Sequence, residues 1–272
     1  MTRKDDIRLT NYHSHTTRCM HAVGTEEEYI LQAIKSGFEC LGFAEHTAWP
    51  YKSDFVSNMR MHISQLEDYV ATIRGLQEKY RDQIRIFLAL ECEAFPEFYP
   101  WLQETKEKYA LDYLILGNHY DTNDDNNGPY FGRCETPERV ERYLKTTLAG
   151  METGMFAYLA HPDIFLHRYP AFDEAAEKAC WQICEKAKQL DMPIEYNLLG
   201  HNRSDASRRR GYVGYCSPEF WNIAEKCGNR CIIGVDAHAP EQLDCADLYR
   251  EVYQKLEKRG LEVISAPDNI KI

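Results

Sequence analysis

Three histidines fall within nine positions near the start of the chain: His13, His15 and His21 in NYHSHTTRCMH. If the segment is extended, the alternation in His13-Ser14-His15 turns both imidazoles to one face. Residues of similar chemistry recur at the ends of short apolar runs. CLGFAEH closes on Glu45 and His46, IFLALECE on Glu91 and Glu93, and LILGNH on His119. AYLAHPD closes on His161 and Asp163, and IIGVDAH on Asp236 and His238. Seven of the ten histidines thus sit at or just past such a run. One strand-end histidine is more often a hydrogen-bonded structural residue than a ligand, but seven at equivalent positions make independent accident implausible. Imidazole with carboxylate and no thiolate suits Zn²⁺, Mn²⁺ or Fe²⁺. So many donors exceed what one tetrahedral ion uses, and imply two or three divalent ions sharing bridging carboxylates.

The elements that must position these residues are legible as a repeating physical unit. IRLTNY, CLGFA, IRIFLAL, DYLILG, FAYLA, MPIEYN and CIIGV are short, apolar and rich in β-branched and aromatic residues, and read as seven buried strands. Segments of helical period lie between them. The clearest begins at Thr25, where Thr25 and Glu28 have capping-box spacing, and stops at Gly37. Residues 60–81, 97–109, 136–153, 173–190, 217–227 and 245–259 are the other predicted helices. Strand–helix alternation argues for parallel βα units. In a closed or nearly closed barrel the carboxyl ends of the strands converge on one face, whereas an open sheet would spread them along a line. The polar residues therefore favour a barrel, with the whole of 1–272 as a single domain.

The bulk composition bounds the partners. Hydrophobic residues make up 44% and charged residues 28% of the 272, as expected for a globular protein with an ample core. Acidic residues outnumber basic ones 43 to 32, a net charge of −11, which disfavours nucleic acid as the main partner. A small phosphorylated substrate stays open, because bound metal ions outweigh global charge at contact distance. The amino terminus MTRKDDIRLTNY has no apolar signal-type core, and no run is long enough to span a membrane. The ten cysteines never form CxxC and read as reduced, mostly buried small hydrophobes, so a cytoplasmic location is expected.

In order along the chain, His13-x-His15 with His21, then GFAEH, ALECE, GNH, AHPD and DAH resemble the motifs of the polymerase-and-histidinol-phosphatase (PHP) superfamily. The resemblance runs from residue 13 to 238. It implies a distorted seven-stranded (β/α)7 barrel with its metal site at the C-terminal face of the strands. It also implies three ions. One would be held by His13, His15, Glu91 and Asp236, and a second by Glu91 as bridge with His119 and His161. The third would take His21, His46 and His238. Glu91 occupies the glutamate of the family's Gly-Ile-Glu signature, here Ala89-Leu90-Glu91. Glu45, Glu93, Asp163 and Asn118 are expected to orient ligands. The stretch PIEYNLLGHNRSD, with SPEFW and DAHAP beyond it, is similar to the histidinol-phosphate phosphatase branch.

The function that follows is hydrolysis of a phosphate monoester, L-histidinol phosphate first, by in-line attack of a metal-activated hydroxide on phosphorus. Glu91, Asp236 and His238 are the groups expected at the reacting centre. The departing alkoxide needs a proton or a metal; Asp236 or a site histidine could supply the proton, although a carboxylate tied to metal is a poor acid. Arg168 and Arg203 are the candidate phosphate cations, and the triplet 208–210 reads as a solvated charge run. Three long stretches, 47–59, 120–135 and 198–216, carry Trp49, Tyr51, Tyr120, Tyr130, Phe131, Tyr212 and Tyr215, aromatics that could enclose a flat substrate group. His167 and His201 lie near the site in sequence, and His62 opens a predicted helix. A PHP phosphoesterase for nucleotides or other small esters would use the same metal shell. An amidohydrolase also begins with H-x-H, but its bridging lysine has no counterpart here.

Overall fold

The computed structural model describes residues 2–123, 125, 128–268 and 270. Seven strands are formed among them: β1 (Leu9–Asn11), β2 (Phe38–His46), β3 (Arg85–Cys92), β4 (Tyr113–Leu116), β5 (Ile194–Asn197), β6 (Arg230–Gly234) and β7 (Glu262–Ile264). All pairings are parallel. The strands form a four-stranded sheet in the order β1-β2-β3-β4, curled as a half-barrel, and a three-stranded sheet in the order β5-β6-β7.

The two sheets differ from the expected strand set in two places. FAYLA forms no ladder; it contributes Leu159, which makes isolated parallel bridges to Leu116 on one side and Ile194 on the other. Its backbone is nonetheless hydrogen-bonded to both neighbours, with Ala157 N donating to Leu114 O at 2.8 Å and Glu195 N to Leu159 O at 2.9 Å. Strand β7, absent from the sequence reading, pairs with β6 through Arg230–Glu262 to Ile232–Ile264. It is short and only partly buried, so it lacks the dense apolar run that marks the others. A further parallel bridge, Ser14–Ala237, joins the segments that follow β1 and β6.

Period-2 alternation sorts the core into two clusters. Leu41, Phe43, Leu88, Leu90, Leu114 and Leu116 pack outward with the helices. Cys40, Ala44, Phe87, Ala89, Tyr113 and Ile115 pack with one another inside the curl. The inner floor is aromatic: Tyr12 stands 5.6 Å from Phe87 and 5.8 Å from Tyr113, and the Tyr113 hydroxyl donates to Tyr12 O at 2.6 Å. The inward series 87, 89 continues to Glu91, so the pattern that builds the floor also aims that carboxylate into the mouth.

Among the described residues, eight α-helices surround the sheets: α1 (Glu26–Ser36), α2 (Leu66–Tyr80), α3 (Tyr99–Lys108), α4 (Pro137–Met151), α5 (Glu174–Gln189), α6 (Leu198–Arg209), α7 (Pro218–Cys227) and α8 (Ala246–Lys258). The Thr25/Glu28 capping box is formed, and Gly37 ends α1 in the left-handed region at φ 83°. Helix α6 falls where a long loop was expected. Its Gly, Asn, Ser and Asp content is poor in helix formers, but Asn197 caps it, accepting from Gly200 N at 2.8 Å, and Leu198 and Leu199 are buried. Of the 120–135 stretch, residues 124, 126 and 127 lie outside the described residues. No described helix is long and apolar enough to cross a membrane.

Candidate metal centre

Glu91 is the hub. Its Oε1 lies 2.8 Å from His161 Nε2 and 3.4 Å from both His13 Nε2 and His119 Nε2. Its Oε2 lies 2.8 Å from His46 Nδ1 and 3.5 Å from His15 Nε2. The close approach depends on Gly117 in LILGNH, where a Cβ would fall 2.5 Å from Glu91 Oε1. Asp236 closes the other side, with Oδ1 3.2 Å from His15 Nε2 and 3.5 Å from His13 Nε2. Beyond His15, His238 Nε2 meets His21 Nε2 at 3.1 Å. All nine residues predicted as ligands therefore gather at one mouth, where Glu91 and Asp236 are 1% and 5% exposed.

The outer nitrogens explain the orientation of the inner ones. His13 Nδ1 bonds Glu195 at 2.9 Å, His15 Nδ1 bonds Glu45 at 3.3 Å, and His119 Nδ1 bonds Glu93 at 3.0 Å. His21 Nδ1 and His238 Nδ1 donate to the carbonyls of Cys19 and Asp236 at 2.7 and 2.9 Å. With Nδ1 carrying the proton, each of these five rings turns an Nε2 lone pair inward, the arrangement that outer partners impose on metal-binding histidines. Glu45 and Glu93 thus orient rings as expected. Asp163 and Asn118 do not: Asp163 accepts from Ser217 N at 2.6 Å, and Asn118 donates to Thr147 Oγ1 at 2.7 Å. Each is drawn away by a partner that later chain elements supply.

Glu195 is the residue the sequence reading passed over, although its E-x-N strand end was in view. It also accepts from His161 N at 3.1 Å and from Asn197 Nδ2 at 2.9 Å, while the same Asn197 amide reaches Asp236 at 3.1 Å. A Cβ at Gly234 would stand 1.8 Å from Glu195 Oε1, so β6 makes room for this carboxylate as Gly117 does for Glu91. Buried Arg60 was missed as well; its Nη2 lies 3.2 Å from Glu93. Cys19 qualifies the expectation of a thiolate-free site, because its sulfur falls within 4.8 Å of donor atoms of His21 and His238.

The electrostatics call for cations. Glu45, Glu91, Glu93, Glu195 and Asp236 are all buried here, against one buried arginine among the described residues, Arg60. Burial by itself lowers the histidines, but Glu195, Asp236 and Glu91 outweigh it at His13 and hold that imidazole well above its ordinary value. His15, similarly placed against Asp236 and Glu45, is raised to about 9. His238 goes the other way, to about 3, through burial and its neighbour His15. The hub shows the same demand geometrically. His46 Nδ1 and Glu91 Oε2 stand 2.8 Å apart, yet both are buried without a well-aligned hydrogen bond. Donor atoms of His13, His15 and Glu91, of His13, His161 and Asp236, and of His15, His46 and His238 each lie within 4.8 Å of one another. A buried carboxylate oxygen without a hydrogen bond, inward-facing ring nitrogens and surplus carboxylate together fit divalent metal ions. Backbone strain concentrates at the same place: Asn118, His161 and Asp236 hold φ of 45°, 27° and 54°.

Above the cluster opens a cavity of about 510 Å³. Tyr120, Tyr130 and Tyr215 line it, as do Arg203 and the unforeseen Arg133. Arg168 is not among the lining residues; it sits in the turn after a short 3₁₀ segment, Ile164–Leu166, and its charge falls on His167 instead. Of the other aromatics, Trp49 packs on Phe98 at 5.4 Å and Phe131 on Tyr143 at 5.1 Å, holding loops to the core. His201 bonds Tyr196 at 2.9 Å, His167 bonds Ser207 at 3.3 Å, and His62 caps a short 3₁₀ helix.

Comparison with known proteins adds three findings. The PHP domain family model matches residues 11–199. A Deinococcus radiodurans protein described as a probable histidinol-phosphatase is 25% identical over 258 residues, covering 90% of this chain and 92% of that one, and the histidinol-phosphatase of Bacillus subtilis is 24% identical over 253 residues, covering 83% and 92%. Among solved structures, the histidinol phosphate phosphatase of Lactococcus lactis, complexed with zinc, L-histidinol and phosphate, superposes with a TM-score of 0.69 at 18% identity, over 97% of this chain and 98% of that one.

Proposed function

The chain belongs to the PHP domain family, and on that premise we propose that it is a metal-dependent phosphomonoesterase hydrolysing L-histidinol phosphate to L-histidinol and phosphate, a step of histidine biosynthesis. The observation that carries the hydrolytic reading is Glu91 in contact with five histidines at the mouth of the half-barrel. The substrate is supported by the named activity of relatives that cover nearly the whole chain. Residues 157–160, bridged on both sides through Leu159, serve in this reading as the fifth of seven staves, after β1–β4 and before β5 and β6, in one distorted barrel to which β7 adds an edge, a single domain over 1–272.

Three ions would be held by His13, His15, Glu91 and Asp236, by Glu91 with His119 and His161, and by His21, His46 and His238. Bound there, divalent ions supply charge neutralisation for a phosphate dianion and a nucleophile at neutral pH. The chain's own residues do the rest. Glu195, Glu45 and Glu93 fix the ring tautomers, and Asn197 holds Asp236 and Glu195 in register. Arg203 and Arg133 place positive charge at the cavity wall for the ester oxygens. Tyr130, whose ring lies at 14° to His119, and Tyr215 present aromatic faces on which a flat imidazole can rest. Asp236 and His238 line the cavity and are the groups proposed to meet the departing alkoxide.

Phosphate release across a panel of monoesters tests the reading. L-histidinol phosphate should exceed nucleoside monophosphates in kcat/KM, and Asp236→Asn should remove that activity. Negligible turnover of histidinol phosphate would overturn the substrate; full activity of Asp236→Asn with metals bound would overturn the site.

A further inference from the structure

A second, smaller cavity of about 110 Å³ lies on the other side of α6 from the metal cavity. The helix is two-faced. Leu199 and Arg203, four apart, line the metal cavity, whereas His201, Ser204, Asp205 and Arg208 share the opposite stripe and line the second one. Lys255 of α8, Arg259 just past its end and Trp221 of α7 also line it. Three cations there face one carboxylate. Arg208 donates to Ser204 Oγ at 2.6 Å and stands 3.6 Å from Asp205, and Arg259 bonds Glu225 at 3.0 Å. Lys255 has no ion-pair partner among the described residues. The surplus is felt inside: burial first, then Lys255 and Arg208, hold His201 below its ordinary value.

Trp221 adds the second, independent sign. It is 1% exposed, and its indole N–H has no acceptor. A buried donor left unsatisfied costs about 1–3 kcal/mol, and native structures leave few.

We propose that this cavity binds a small oxyanion of the size of inorganic phosphate, accepting from the Trp221 indole and charge-matched by Arg208, Lys255 and Arg259. The volume sets the ligand class. At about 110 Å³ it falls well short of the roughly 300–1,000 Å³ of sites that enclose drug-sized molecules, so a bare oxyanion fits and an intact ester with an imidazole side chain does not. The site is separate from the metal centre and does not rest on the activity assigned to it.

Isothermal titration of inorganic phosphate into the metal-loaded protein tests this. The expected result is a binding event that persists in Asp236→Asn, is weakened at least tenfold by Lys255→Gln combined with Arg208→Gln, and is weakened again by Trp221→Phe, which keeps the aromatic bulk and removes the donor. Arg208 and Lys255 are exposed, so their replacement leaves the core packing in place. Isotherms that superimpose for the unaltered protein, the double variant and Trp221→Phe would overturn the proposal.

Discussion

Glu91 faces the mouth because period-2 alternation carries the inward series of β3 to its end, and Gly117 leaves space for it. Neither fact needs a metal. In the proposed reading, the rings of His13, His15 and His119 are set as ligands by their outer carboxylate partners, above all Glu195, which touches His13, the His161 backbone and Asn197 at once. Replacing it by glutamine keeps the volume but removes the charge that favours the His13 Nδ1–H tautomer. Outer partners of this kind contribute about 10–100-fold to metal affinity. Glu195→Gln is therefore expected to release zinc to a competing chelator at a concentration lower by about that factor, with unchanged far-ultraviolet circular dichroism. Equal retention of zinc would assign the orientation of His13 to Asp236 and Glu91 alone.

At the scale of elements, most helices fall where their apolar period and caps place them, α1 with its Thr25 cap and Gly37 stop being the plainest. The exceptions are instructive. Helix α6 is composed against its own propensity and is held by a cap from the preceding strand, and FAYLA, strongly apolar, is tied to its neighbours by single bridges. His167 links the turn after Ile164–Leu166 to α6 through Ser207. Burial, with Arg168, Arg203 and Arg210 nearby, lowers its pKa to about 4. Its unfolded value is higher, near 6.5, so the unfolded chain binds the extra proton first as the medium is acidified. The stability this group contributes is present above about pH 6.5 and is lost as pH falls toward 4. Its partial exposure limits the effect to on the order of 1 kcal/mol. His167→Gln should lose less stability than the unaltered protein between those two pH values in denaturant titrations; parallel losses would mean that the proton goes elsewhere.

For the whole molecule, the dominant fact is a ring of buried carboxylates that the described buried arginine cannot neutralise. A fold that tolerates this charge is one stabilised by cation binding. Ions at a hundredfold excess over their dissociation constant contribute about 2.7 kcal/mol. For a chain of this size, stripping them with a chelator should lower Tm by roughly 5–10 °C, restored by adding zinc back. A Tm indifferent to both treatments would show that the carboxylates are neutralised by protons on His13, His15 and His119 instead.

The sequence by itself determined the inventory: which residue types stand at the ends of which apolar runs, in what order, and that their chemistry is that of imidazole and carboxylate around divalent ions. It determined these because strand alternation and helix capping are local, and each is written in a few adjacent residues. Which nitrogen of each ring faces inward, that Glu195 and Arg60 stand behind the ligands, that Arg133 rather than Arg168 lines the cavity, and that β7 joins β6 were decided only in three dimensions. Those outcomes depend on contacts between segments as far apart as 182 residues, as His13 and Glu195 are, and no local pattern encodes a partner at that distance.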